Sequence, residues 1–225
     1  MSDRSSIFDM IGPVMIGPSS SHTAGVVRIG RVARRVLGCQ PEHATITFYN
    51  SFAQTFEGHG SDKAVIGGLL DFKTDDAKIK TSLAIAEESI LNYTFRASAN
   101  ASALHPNTIK IEMTAGERTA SIIGVSRGGG LISIVEIDKI KCNFTAQAHT
   151  LIIDAKDKTG SIAYITAIIA NDECNIATMT VGRSAKNADA KLVFELDSGL
   201  KPISIEYLQN LSWVNHVLYI PDIDL

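Results

Sequence analysis

Three short stretches of this sequence gather side chains that could bind or transform a small polar molecule. The first runs Gly17-Pro18-Ser19-Ser20-Ser21-His22-Thr23-Ala24-Gly25, just ahead of a helical pattern. A helix start leaves backbone N–H groups unpaired and carries the positive end of the helix dipole, so an anion such as a carboxylate is favoured there. One serine would suffice as a helix cap. Five consecutive polar residues exceed that need, so Ser19, Ser20, Ser21, His22 and Thr23 are candidate ligand-binding residues. The competing reading is a cap with spare polar neighbours.

The second stretch is Glu57-Gly58-His59-Gly60-Ser61-Asp62-Lys63. Glycine on both sides leaves the His59 ring sterically open and its backbone free to take unusual angles. It too precedes a helical pattern. His59 therefore reads as functional, whereas Asp62 and Lys63 divide evenly between site and ordinary helix-start roles. The third is His105-Pro106-Asn107, where a rigid Pro can hold two polar side chains in fixed orientation or simply make a turn. Gly128-Gly129-Gly130 reads as a turn without phosphate-loop spacing. His22, His43, His59, His105, His149 and His216 form neither an HExxH nor a zinc-type Cys/His spacing, and no GxSxG is present. No metal ligands are expected from this chain.

The elements that must position these residues follow from periodicity. Ser5 to Met10 reads as a short apolar helix, and Ala24 to Leu37 as a longer one stopped at Gly38. Arg28, Arg31, Arg34 and Arg35 read as its solvated face. A strand is predicted over His43–Tyr49 and a loop over Asn50–Gly60. A helix follows over Ser61–Leu70, with Ser61 as its cap, and a second over Ala77–Ile90. Strands follow over Tyr93–Ala97, Thr108–Thr114, Arg118–Ser126 and Leu131–Ile137, mostly antiparallel. Ile140 to Ala148 is polar and linker-like. Beyond it the order is βαββαβ: strands at His149–Lys156, Ile176–Ser184, Ala190–Leu196 and Val214–Ile220, helices at Ser161–Asn171 and Pro202–Leu211. The fold class is α+β: a mixed α+β substrate-binding domain over residues 1–147, then a ferredoxin-like domain over residues 148–225.

Bulk properties narrow the function. The chain of 225 residues is 45% hydrophobic and 20% charged, which excludes a disordered chain and allows a core without disulfides. A net charge of −3 with no basic stripe gives nucleic acid nothing to bind. No apolar run nears the ~20 residues of a membrane span, and Met1–Arg4 does not open a signal peptide. Cys39, Cys142 and Cys174 are odd in number and widely spaced, which indicates reduced thiols and a cytoplasmic protein. A site built on four thiolates cannot come from this chain alone.

The βαββαβ order, with the turn Asp157-Lys158-Thr159-Gly160 after its first strand, resembles an ACT domain. That resemblance implies amino-acid binding and self-association through this domain; plain dimerisation is the competing role. The three polar stretches together resemble the iron–sulfur L-serine dehydratases. With the ACT-like end, the resemblance spans the chain and matches the beta subunit of the two-chain form. The beta domain of that family also resembles the substrate-sensing domain of some phosphoglycerate dehydrogenases.

The resemblance implies an L-serine ammonia-lyase that turns L-serine into pyruvate and ammonia, within amino-acid catabolism and gluconeogenesis. It implies a 4Fe–4S cluster held by an alpha subunit, and potassium as a further candidate cation. His59 and Ser61 would be the acid/base residues; many relatives carry Thr where Ser61 stands. Ser19, Ser20, Ser21, His22 and Thr23 would hold the substrate, with Gly60, Asp62, His105 and Asn107 completing the pocket. Two other readings stay open: a non-catalytic serine-sensing regulatory subunit, and an interaction scaffold.

Overall fold

The computed structural model describes residues 13–99 and 105–222. The helix expected at Ser5–Met10 lies outside the described residues. Two compact units divide between Asp138 and Lys139.

In the first unit the strands are β1 (His43–Tyr49), β2 (Asn92–Ser98), β3 (Thr108–Ala115), β4 (Arg118–Gly128) and β5 (Leu131–Ile137), in the order β2-β1-β3-β4-β5. β1 runs parallel to β2, and the pairs β1–β3, β3–β4 and β4–β5 are antiparallel. Strand side chains alternate between faces. That alternation turns Ala44, Ile46 and Phe48 of β1 and Ile109, Ile111 and Met113 of β3 inward, where all six are buried.

Helix α1 (Gly25–Leu37) packs on this sheet, with its strongest sheet contact to β4, and beside α3 (Ser61–Leu69). Its residues from Gly25 to Ala33 are all buried. The expectation of a solvated arginine face is therefore corrected for Arg28 and Arg31, while Arg34 is half-buried and Arg35 exposed. Arg28 is fully buried and Arg31 nearly so, because α1 is enclosed by the sheet, by α3 and by the β4–β5 turn. Arg28 Nη1 donates to Gly130 O at 2.7 Å, and burial, then the Arg31 charge, pull its pKa down to about 10. Arg31 and Arg35 pair with Asp71 just past α3.

α1 and α3 cross with backbone touching backbone. A Cβ on Gly68 would sit 2.2 Å from Val27 O, and one on Gly30 would sit 2.7 Å from Val65 O. Only glycine at both positions permits this approach.

Two other expectations change. The Asn50–Gly60 stretch contains helix α2 (Ser51–Thr55), not only loop. One turn of helix is unstable alone. α2 is held by fully buried Phe52, by Phe56 stacked on Phe48 at 4.6 Å, and by Phe52 N donating to Pro106 O. The single helix expected over Ala77–Ile90 is a 3₁₀ turn (Ala77–Thr81) followed by α4 (Ser82–Glu87). The Asp76 side chain caps that turn through Lys78 N, and Ser82 Oγ donates to Lys63 O.

The second unit opens with β6 (Ile140–Phe144), where a linker was expected. Its polar residues Lys141 and Asn143 face out, while Cys142 and Phe144 alternate inward, so the polarity marks one face of a strand. Next come β7 (His149–Lys156), α5 (Ser161–Asn171), β8 (Ile176–Arg183), β9 (Asp189–Leu196), α6 (Pro202–Gln209) and β10 (Val214–Ile220). The sheet order β10-β7-β9-β8, all antiparallel, is the ferredoxin-like arrangement that the ACT resemblance implies. Leu151, Ile153, Leu192 and Phe194 meet Ile165 and Leu208 of the two helices in its core.

The α1–α3 crossing generates a stability prediction. Gly68→Ala forces backbone apart, and overpacking of this kind costs about 2–3 kcal/mol. The melting temperature should fall by roughly 5–10 °C. An unchanged melting temperature in thermal unfolding would contradict the close approach.

Candidate functional site

The crossing of α1 and α3 brings the starts of the two helices together. α1 is preceded by a π-helical turn, Ser20–Ala24, in which Ser19 Oγ accepts from His22 N at 3.4 Å. α3 is preceded by Gly60 in the left-handed region (φ +71°). A Cβ there would meet nothing within 4 Å, so it is conformation rather than space that favours glycine. That turn lifts His59 into an exposed position, its N–H bonded to Thr55 O at 3.0 Å.

Ser61 ties the two starts together. Its fully buried hydroxyl donates to His22 O at 2.9 Å. The helix-cap role expected for Ser61 is corrected, because the cap position is Gly60 and the Ser61 side chain points to the neighbouring turn. As an acid/base candidate, Ser61 has its proton engaged with a carbonyl and its oxygen shielded from solvent.

The His22 and His59 rings meet edge to face at 4.6 Å, and His22 also abuts Phe52 at 4.8 Å. His22 Nδ1 lies 3.0 Å from Ser21 Oγ and 3.3 Å from Ser19 Oγ, and its Nε2 lies 3.1 Å from Thr55 Oγ1. Burial, then the His59 charge, hold the His22 imidazole below its ordinary value of 6.5. Ser20 faces elsewhere: its Oγ accepts from Gly129 N at 3.1 Å and joins the serine turn to the β4–β5 hairpin.

Beside these groups lies a cleft of about 420 Å³, lined among others by Gly17, Thr23, Glu57, His59, Lys63 and Lys80. Two ammonium groups, an imidazole and a carboxylate at one cavity suit a small zwitterion with a carboxylate to anchor. Thr23 Oγ1 and Asp62 Oδ1 are buried without a hydrogen-bond partner. Burial raises the Asp62 carboxyl above its ordinary 3.8, against the pull of the Lys63 N–H and charge.

Curated proteins resemble this chain over nearly its whole length. It is 41% identical over 217 residues to a protein of Bacillus subtilis named probable L-serine dehydratase, beta chain. That match covers 96% of this chain and 98% of the relative. It is 36% identical to the L-serine dehydratase, beta chain, of Peptoniphilus asaccharolyticus, covering 87% and 88%. The family described as Serine dehydratase beta chain matches residues 6–98. The chain belongs to the serine dehydratase beta chain family. A solved ACT domain from the GTP pyrophosphokinase of Chlorobium tepidum covers 32% of the chain at 21% identity and a TM-score of 0.26. At that score it adds nothing to the strand order already described.

Residues 6–98, matched by the serine dehydratase beta chain family, contain both helix starts. The third polar stretch lies beyond them. His105 and Asn107 are not among the cleft-lining residues. His105 Nδ1 accepts from Asn107 N at 3.1 Å, Thr108 Oγ1 donates to His105 O, and Ser126 N donates to Asn107 O. This tripeptide braces the start of α2 through Pro106. Thr55, Phe52 and Lys80 are not expected as site residues from sequence; Glu57 stands there only as part of the second stretch, and Lys63 with even weight between site and helix start. For Thr55 and Phe52 a signal existed: Phe52 and Phe56, like Ser51 and Thr55, are four apart, which is helical spacing.

A cluster of the kind the resemblance implies does not fit this chain. Cys39 follows α1, Cys142 lies in β6, and Cys174 follows α5 with its Sγ bonded to Ser198 O. Among the described residues no three His, Cys, Asp or Glu side chains converge as metal ligands. Nor is any described helix long and apolar enough to cross a membrane.

Desolvation, with the His59 charge at His22 and the Arg127 charge at the solvent-exposed His105, holds both imidazoles below 6.5, so between their folded values and 6.5 the unfolded chain binds more protons than the folded one. Their contribution is complete above about 6.5 and is lost as pH falls through the folded values. The urea midpoint should be lower near pH 5.5 than near pH 7.5, and the difference should shrink in His22→Asn. Equal midpoints at the two pH values, or an undiminished difference in the variant, would contradict the lowered pKa of His22.

Proposed function

We propose that this chain is the beta subunit of a two-chain L-serine dehydratase that deaminates L-serine to pyruvate and ammonia. One observation carries the reading furthest. His59, the open imidazole on a glycine-flanked turn, stands at a cleft with two lysines, beside the hydroxyl-rich start of α1. Family membership supplies the substrate, through the names of the relatives.

In this reading the substrate carboxylate is held by Lys63 or Lys80 with Thr23 and the serine turn, where helix-start N–H groups and ammonium charge both favour an anion. His59 takes the proton from Cα. The β-hydroxyl leaves as water, and the resulting enamine takes up water again to give pyruvate and ammonia. Ser61 acts by position: it fixes the His22 turn against α3, and His22 in turn packs on the His59 ring. Asp62 holds the first turn of α3, and His105 and Asn107 act through α2.

The 4Fe–4S cluster of the resemblance is assigned to the alpha subunit, since this chain's cysteines do not fit it. Potassium remains a candidate cation of the assembled enzyme. The ACT-like unit is assigned self-association, and the complex a cytoplasmic place.

His59→Ala in the complex with its alpha subunit should lower kcat/KM for L-serine by about 100-fold or more, the scale of general acid–base catalysis. A change within about threefold would remove His59 from the chemistry. If effector response then changed while turnover was spared, the serine-sensing reading would take its place.

A further inference from the structure

The contacts of His22 form a chain of hydrogen bonds whose direction is set at one end. Thr55 Oγ1 lies 2.8 Å from Ser51 O, the carbonyl one helical turn before it. A carbonyl only accepts, so the single hydroxyl proton of Thr55 is spent there. Toward His22 Nε2, 3.1 Å away, Thr55 therefore offers only a lone pair. Nε2 must carry the proton. A neutral imidazole then has Nδ1 unprotonated, and Nδ1 accepts from Ser21 Oγ at 3.0 Å. Ser19 Oγ, 3.2 Å from Ser21 Oγ, completes the chain and takes the His22 N–H. Every side-chain hydrogen runs one way, from Ser19 through Ser21 and His22 to Thr55 and Ser51, and the His22 backbone N–H returns to Ser19 Oγ.

We propose that Thr55 is a positioning residue that fixes His22 in the neutral Nε2–H tautomer, so that Nδ1 orders the hydroxyls of the serine turn. The opposite tautomer would set an N–H against Ser21 and leave Nε2 as an acceptor facing an oxygen whose proton is engaged. That places two lone pairs against each other in a half-buried site, which the packing of His22 between Phe52 and His59 gives it no room to avoid. The serine hydroxyls are therefore pre-set before a ligand arrives, with Ser19 and Ser21 donating toward the imidazole. The Thr55 side chain is not among the cleft-lining groups and acts through His22, while its carbonyl, which takes the His59 N–H at 3.0 Å, is kept in every Thr55 variant. Its role in turnover rests on the lyase reading above; its role in the tautomer does not.

The test uses the full chain labelled with ¹⁵N in its histidine rings, the His22 signals being identified by their loss in His22→Gln. At neutral pH the wild type and Thr55→Ser should show Nδ1 as the unprotonated nitrogen, and Thr55→Val should show a mixture of tautomers. In the complex with the alpha subunit, kcat/KM for L-serine should fall about tenfold in Thr55→Val, the scale of one hydrogen bond, and stay within about threefold in Thr55→Ser. A protonated Nδ1 in the wild type, or one pure Nε2–H tautomer in Thr55→Val, would overturn the assignment. A mixed tautomer with unaltered kcat/KM would overturn its part in the reaction. A tautomer shift as expected in a complex that makes no pyruvate would uphold the assignment and sink the lyase reading.

Discussion

Gly30 of α1 and Gly68 of α3 touch without side chains between them, and the geometry of the first unit depends on that contact. Helices that meet through ordinary side chains keep their axes 8–10 Å apart. Here a single added methyl would strike a carbonyl oxygen. The approach brings the starts of both helices within one hydrogen bond of each other, the Ser61 hydroxyl on His22 O. Two polar stretches nearly forty residues apart in sequence become one site by this means. The same enclosure buries α1 from Gly25 to Ala33, including Arg28 and Arg31, which a surface helix would leave in water.

The consequence for function is a division of labour. This chain gathers imidazoles, hydroxyls and ammonium groups around one cleft, which are means of holding an anion and moving a proton. It gathers no set of metal ligands among its described residues, and its thiols are dispersed and mostly buried. In the reading proposed above, the electrophile belongs to a partner chain. The beta-chain family supplies the natural candidate for that partner.

Much of this was legible in the sequence, because periodicity and turn residues act locally. The strand positions, α1, α3 and the βαββαβ order of the second unit follow from alternation and helical spacing alone. The misreadings share a cause in tertiary context. α2 is too short to form by propensity, and exists because Phe52 and Phe56 find Phe48 across the sheet. β6 looked like a linker because its outward residues are polar. Ser61 looked like a cap because sequence places it at a helix start, whereas the oxygen it bonds belongs to residue 22. The spacing of Ser51 and Thr55 signals a helical turn and no more, since the part of Thr55 depends on which proton its hydroxyl has left to give. The charge of Arg28 was misplaced for a similar reason: enclosure by three elements is invisible in one helix.

The most direct measurement is anaerobic formation of pyruvate from L-serine by this chain alone, by its alpha partner alone, and by the two together. The account predicts turnover only in the combined, iron-containing complex. Equal turnover by the partner without this chain would contradict it, because the proton-handling residues assigned here would then have no part in the reaction.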